Sequence, residues 1–314
     1  MKARSLVVLG LLAALAVLLL VAAPAYSYLP EFTQTSSGPQ VDHWAGFPVQ
    51  WTFSPNSFSS IGVDPTAAGS ILQQAFGVWN NAPNAAVSVQ RNPVDTPLTA
   101  EGNAAGINII CACTDVTDFS KDSQTLAVTI TTTNNSNGQI TKADIVFNPK
   151  TTWSTAIGGN LQAVATHEIG HFLGLDHSAV VRSVMFPAAS SVIALSYDDV
   201  AAISFIYPKG VPDVATGAIS GTVRLGSNVV FGSHVFAESV TGLQPFSAFP
   251  SVRKSPIGAL TRPDGTYVIT GLPAADSYIV TAEPLDGPVS ASDVAGYTSV
   301  FGAIAQPNYT TRWH

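Results

Sequence analysis

In the stretch FPVQWTFSP, apolar positions alternate with polar ones. Val49, Trp51 and Phe53 fall on one side, so residues 48–54 are predicted to form a strand. The period then lengthens. Between residues 65 and 81, Ala67, Ile71, Leu72, Ala75, Phe76 and Trp79 recur at the three- and four-residue spacing of an amphipathic helix entered through Asp64-Pro65. Short apolar runs at residues 87–89 and 107–110 predict two strands separated by a polar loop. Residues 125–131 (TLAVTIT) and 143–148 predict two more, with a turn at residues 134–138 between them. A second helix is predicted from about Asn160 through Leu173, and a third within residues 195–208, where Val200, Ile203 and Phe205 share a stripe.

Beyond Pro208-Lys209-Gly210 the helical period disappears. Residues 209–217 read as a linker, and residues 218–290 give four or five short alternating segments punctuated by Gly, Pro and Asp-Gly. That is the pattern of a small all-β sandwich. Residues 291–314, rich in Gly, Ala and aromatics, are either a tail or the remainder of that β-domain. At the other end, Lys2 and Arg4 precede an apolar run from Leu6 to Ala23, followed by small residues at Ala25 and Ser27. Residues 1–27 are therefore predicted to be a signal peptide, directing the protein to the outside of the cell. The alternative is an uncleaved membrane anchor, because the run reaches the lower limit of a bilayer span. Residues 28–46 form a short N-terminal segment. The expected fold class is α+β, a domain of twisted sheet and long helices over residues 47–208, followed by the all-β unit.

Composition narrows the function classes. Only 11% of the 314 residues are charged and the net charge is −7, which suits an exported protein and leaves no basic patch for nucleic acid. The length accommodates two domains, each able to fold without disulfide stapling. The two cysteines, Cys111 and Cys113, share the stretch NIICACTD. On one strand they would lie about 6.5–7 Å apart, near the upper limit for a disulfide. They read as small buried residues or as a local bridge.

The chemistry concentrates in HEIGHFLGLDHS, residues 167–178. On a helix, His167 and His171 are one turn plus about 40° apart and project from one face, with Glu168 beside them. Gly174 stands where a helix can end through a left-handed residue, which would return the chain to His177. Three imidazoles leave one position of a tetrahedral Zn²⁺ open, the arrangement of a catalytic rather than a structural site. Zinc lowers the pKa of its water to roughly 7, and Glu168 would take the proton as general base.

The full pattern HExxHxxGxxH resembles the metzincin signature, and its neighbours resemble the matrixin branch of zinc metallopeptidases. Ser178 follows the third histidine, SVMFP at residues 183–187 is similar to the Met-turn, and LSYDDVAAISFIYP resembles the closing helix. The resemblance implies His167, His171 and His177 as zinc ligands and Glu168 as the catalytic base. It also implies Gly174, Met185 and Pro187 as structural residues at the site. Asp198 and Asp199 would tie the closing helix to the Met-turn and the mature N-terminus. The edge strand, with Leu126 and Ala127, would bind substrate. It makes calcium on the loop carrying Asp115, Asp118 and Asp122 a candidate, beside a solvated acidic loop. Val128 stands where a second, structural zinc would have its histidine. No cysteine precedes the domain to act as the family's latency switch. In the second half, ISGTV and DGTYVITGLPA resemble the carboxypeptidase regulatory-like β-sandwich, which suits contact with a surface or carbohydrate. There His234 and Glu238 share a strand face as a satisfied or exposed pair.

The leading expectation is a secreted zinc endopeptidase acting on protein or peptide substrates. One alternative is a non-catalytic, zinc-containing adhesion protein working through its β-sandwich. Another is a hydrolase of non-protein amides, which the same zinc chemistry would serve.

Overall fold

The computed structural model describes residues 29–97, 106–113, 119, 124–188, 191–241, 243–285, 289–304, 309 and 312–313. The predicted leader and the loop with Asp115, Asp118 and Asp122 lie outside the described residues. A hairpin of β1 (Phe32–Thr35) and β2 (Gly38–Val41) leads through β3 (His43–Trp44) to β4 (Val49–Phe53). Two helices follow, α1 (Pro55–Ser60) and α2 (Pro65–Asn80), then β5 (Val89–Arg91), β6 (Ile109–Cys111), β7 (Ala127–Asn134) and β8 (Gln139–Phe147). Helix α3 (Asn160–Phe172) comes next, then β9 (Leu195–Ser196) and α4 (Tyr197–Ile206).

The long helix begins where Asp64 accepts a hydrogen bond from the Thr66 amide, with Pro65 in the first turn where its missing N–H costs nothing. Its buried face carries Ile71, Leu72, Ala75, Phe76 and Trp79, and the Phe76 ring stacks on Trp51 of β4 at 4.7 Å. The sheet runs β3-β8-β6-β4-β5 in parallel, and β7 pairs antiparallel with β8. Ile109, Ile110 and Cys111 are buried on every position, as expected for a strand covered on both faces. The β7–β8 hairpin extends further than its hydrophobicity indicates. Thr131 to Asn134 pair with Ala143, Lys142, Ile140 and Gln139 in that order, yet Thr132 and Asn134 face solvent and show no apolar period. Cys111 ends β6, so the chain leaves the extended conformation and the cysteines approach to a Cα separation of 5.4 Å, closing a disulfide. Both are buried.

The predicted linker is pinned in place. Asn84, in the left-handed region at φ 64°, exchanges side-chain hydrogen bonds with the backbone of Val214, and its amide donates to Asp213. Strand β10 (Thr216–Thr222) begins inside the range expected to be linker, followed by β11 (Arg224–Leu225), β12 (Asn228–Val229), β13 (His234–Ser239), β14 (Val252–Arg253), β15 (Ile257–Leu260), β16 (Thr266–Pro273) and β17 (Tyr278–Glu283). Helix α5 (Ala295–Phe301) and β18 (Arg312–Trp313) complete the described chain. Strands β15-β13-β17-β18 form one antiparallel sheet, and β10 pairs with β16. The register sets His234 opposite Glu283, with Nδ1 3.0 Å from Oε1, so Glu283 of the neighbouring strand, and not Glu238, is the partner of His234.

The two halves share one core that runs from Val49 to Ala282. Parallel pairing of β14 with β9 and a close approach of Gly271 to Ala201 join them. A second core cluster gathers Leu29 and Phe32, Phe186, and Leu285, Val289, Val294 and Tyr297. Residues 289–304 thus lie across the N-terminal segment, with the Phe301 and Phe32 rings at 5.5 Å. No helix among the described residues is long and apolar enough to cross a membrane.

Candidate metal centre

Helix α3 buries Leu161, Ala165, Ile169 and Phe172 and turns His167 and His171 toward a cleft, their Nε2 atoms 3.2 Å apart. The helix ends at Leu173. Gly174 takes φ 90°, and a Cβ there would also fall 2.4 Å from the Asp42 carbonyl oxygen, so only glycine fits. The reversed chain is held by the N-terminal segment: Glu31 N–H donates to Gly174 O and Asp176 N–H to Leu29 O. This brings His177 beside the other two, with ring centroids 4.9 to 5.3 Å apart.

Each imidazole has its Nδ1 against a backbone carbonyl: His167 on Val184 at 2.7 Å, His171 on Leu175 at 2.7 Å and His177 on Asp293 at 2.8 Å. A carbonyl only accepts, so Nδ1 carries the proton and every Nε2 presents a lone pair. Lone pairs 3.2 Å apart repel unless a cation lies between them, and ligand atoms of the three rings all fall within 4.8 Å of one another. The donor set fits one metal ion of the kind that takes imidazole ligands in tetrahedral geometry. Burial holds all three histidines below their ordinary pKa, with the other imidazoles adding to the effect on His171 and His177, which favours the neutral, ligating form.

Glu168 is buried one residue along. Its Oε2 lies 2.6 Å from Thr129 Oγ1 on β7, and its carboxyl is pushed up to about 7 by burial, opposed by the Thr129 hydrogen bond and by His177. Beneath the helix, Met185 lies so close that a Cβ on Gly170 would fall 2.1 Å from its Sδ. The turn that carries it is held by Asp199, which accepts from Ser183 Oγ, the Val184 amide and the Ser196 hydroxyl and amide. Asp199 thereby fixes the Val184 carbonyl on which His167 rests. Its neighbour Asp198 has its described partners on other segments. It accepts from Ser178 Oγ at 2.5 Å and from the Gly258 amide at 2.8 Å, and burial, with the charge of Asp199, pushes its carboxyl up to about 7.

A cleft of about 590 Å³ contains the three histidines and Glu168, with Leu126 and Ala127 on one wall and Pro187 and Ala188 on another. Gly174 and Met185 support the site from behind. Four residues escaped sequence reasoning. Thr129 and Asp293 act across chain separations that only the fold closes. Gly170 is one glycine among 25, with no signal of its own. Glu31 stands 3.6 Å from His171 Nδ1, and burial, then the charges of Asp176, Asp42 and Glu168, raise its carboxyl well above the ordinary range. A separate cavity of about 450 Å³, between residues 179–182 and β13, includes none of the three histidines.

Comparison with known proteins agrees with this geometry. The sequence profile of the family described as Matrixin matches residues 43–208, more than half of the chain. Macrophage metalloelastase of Rattus norvegicus is 32% identical over 144 residues, 44% of this chain and 28% of that protein. Matrix metalloproteinase-18 of Xenopus laevis is 37% identical over 95 residues, 29% of this chain and 20% of that protein. Matrilysin of Rattus norvegicus is 48% identical over 56 residues, 17% of this chain and 21% of that protein. The chain therefore spans between about a fifth and just over a quarter of the length of these relatives.

Proposed function

Because the chain belongs to the matrixin family, we propose that it is an exported zinc-dependent endopeptidase that cleaves extended polypeptide over the triad of His167, His171 and His177. The carrying observation is the convergence of three Nε2 lone pairs beside a buried carboxylate that is itself held by a hydroxyl. Zinc held by these imidazoles would supply Lewis-acid polarisation of the scissile carbonyl and easier deprotonation of the attacking water. Glu168 accepts that proton and returns it to the departing amine. Thr129 keeps the carboxylate oxygen in place while the charge on it changes. Among the described residues β7 pairs only with β8, so its outer edge offers backbone groups to an extended peptide beside Leu126 and Ala127. Export rests on the leader pattern of residues 1–27 and on the disulfide, which persists in oxidising compartments. We assign residues 218–290 to an accessory β-domain of the carboxypeptidase regulatory-like type.

Zinc content and cleavage of unfolded casein, with and without a chelator, test the proposal. The expected result is one zinc per chain and cleavage abolished by the chelator. Glu168→Ala should keep its zinc and lose on the order of 10²- to 10⁴-fold in turnover. Casein cleavage that survives either the chelator or this substitution sinks the proposal.

A further inference from the structure

We propose that residues 290–297, outside the matrixin-matched region, are a positioning element of the metal centre, so that the C-terminal half is part of the active site. The inference rests on the zinc reading above. His167 and His171 are fixed by the helix that carries them and by carbonyls at Val184 and Leu175, all within residues 43–208. His177 sits on a loop and has no helix to orient its ring. Among the described residues its ring acceptor is the Asp293 carbonyl, 116 residues further along the chain. The main chain of His177 is tied to the same segment. Its amide donates to Asp176 Oδ1 at 2.7 Å, and Asp176 Oδ2 lies where a Cβ on Gly296 would fall 2.6 Å away. Ring and backbone of the third ligand are thus both set from residues 293–296.

The segment is built to hold that carbonyl still. The Asp293 carboxylate accepts from the Ser290 amide at 2.8 Å and the Ser290 hydroxyl at 2.7 Å, and the Asp293 amide closes the turn on Ser290 O. Val294 and Tyr297 anchor it in the cluster shared with Leu29, Phe32 and Phe186, the last of which follows Met185 directly. Asp293 itself borders the cleft. An acceptor for the distal N–H of a ligating histidine fixes its tautomer and ring orientation, and loss of such a partner weakens metal binding about 10- to 100-fold.

The test uses the full chain and measures zinc affinity by chelator competition, together with the visible absorption of the Co²⁺-loaded protein. Asp293→Ala releases the clasp, and Gly296→Ala displaces Asp176 by an independent route. Each should weaken zinc about 10- to 100-fold and shift the Co²⁺ bands. Asp293→Asn, which keeps an acceptor oxygen for Ser290, should restore wild-type affinity and spectrum. Ser299→Ala, exposed on the same helix, should leave both unchanged. If Asp293→Ala fails to fold, the comparison of Gly296→Ala with Ser299→Ala decides. Wild-type affinity and spectrum in both Asp293→Ala and Gly296→Ala overturn the inference alone. A wild-type chain that binds no zinc overturns the peptidase reading and this inference with it.

Discussion

Residues 43–208 and residues 216–304 bury their apolar surface in different ways. In the first region the largest fully buried side chains are Trp51, Trp79, Phe53, Phe58, Phe76, Phe147 and Phe172, packed between one sheet and two long helices. In the second, apart from Phe246, Tyr297 and His234, the buried side chains are aliphatic or smaller, such as Val235, Ala237, Ile257 and Ile269, and the sheets have two and four strands. Much of the second region's burial is against the first: Phe246 meets the Tyr197 ring at 5.0 Å, Val252 pairs with Leu195, and Gly271 sits over Ala201. A region with a core of its own can tolerate loss of its neighbour. One whose core continues into its neighbour cannot. The comparison explains why a metal centre carried on a helix of the first region has its third ligand supported from the second.

The sharpest way to break this comparison is to remove aromatic volume from the first region. Trp79 packs beneath Gly170, and its Nε1 donates to Thr166 O at 2.8 Å. Trp79→Ala should cost about 3–5 kcal/mol in denaturant unfolding, whereas Ile257→Val in the second region should cost about 0.5–1.5 kcal/mol. Equal losses would mean that the two cores carry equal weight.

Next in size is a pH effect at Asp198, which bonds to both regions through Ser178 and Gly258. Its carboxyl titrates at about 7 in the fold, above the ordinary value of about 4 in the unfolded chain. Between those values the folded chain holds a proton that the unfolded chain releases, so stability falls as pH rises from about 4 to about 7 and levels off above. Asp198→Asn is neutral throughout and lacks this component. On the metal-free protein, the unfolding free energy of the variant should therefore gain on wild type by on the order of 2–4 kcal/mol across that interval. A difference that stays flat with pH removes Asp198 as the buried acid joining the regions.

The smallest expected effect lies wholly within the first region. Thr129→Val keeps the shape of β7 and deletes the hydroxyl that holds Glu168. Turnover should fall about 10-fold, equivalent to about 1.4 kcal/mol, with KM for a peptide substrate changed less than about threefold. A change in KM alone would place Thr129 in substrate binding instead.

The first region was the more legible in sequence. Helices α2 and α3 stand within a residue of their predicted ends, because a 3.6-residue apolar stripe and an Asp-Pro start are local signals. The spacing of His167, His171, Gly174 and His177 placed all three imidazoles, since a helix turn and a left-handed glycine operate over a few residues. The β7–β8 hairpin ran longer than predicted because threonines that face solvent carry no hydrophobic period. The disulfide required knowing where β6 stops.

By itself the sequence determined the histidine spacing, the glutamate beside it and the periods of the main helices, because each depends on backbone geometry within one or two turns. Tertiary structure alone decided which carbonyl supports each imidazole, why Thr129 rather than another threonine meets Glu168, that Glu283 pairs with His234, and that residues 290–297 lie behind His177. These contacts join segments up to 116 residues apart. Their partners are set by sheet register and by the packing of a shared core, to which no local pattern of residue types corresponds.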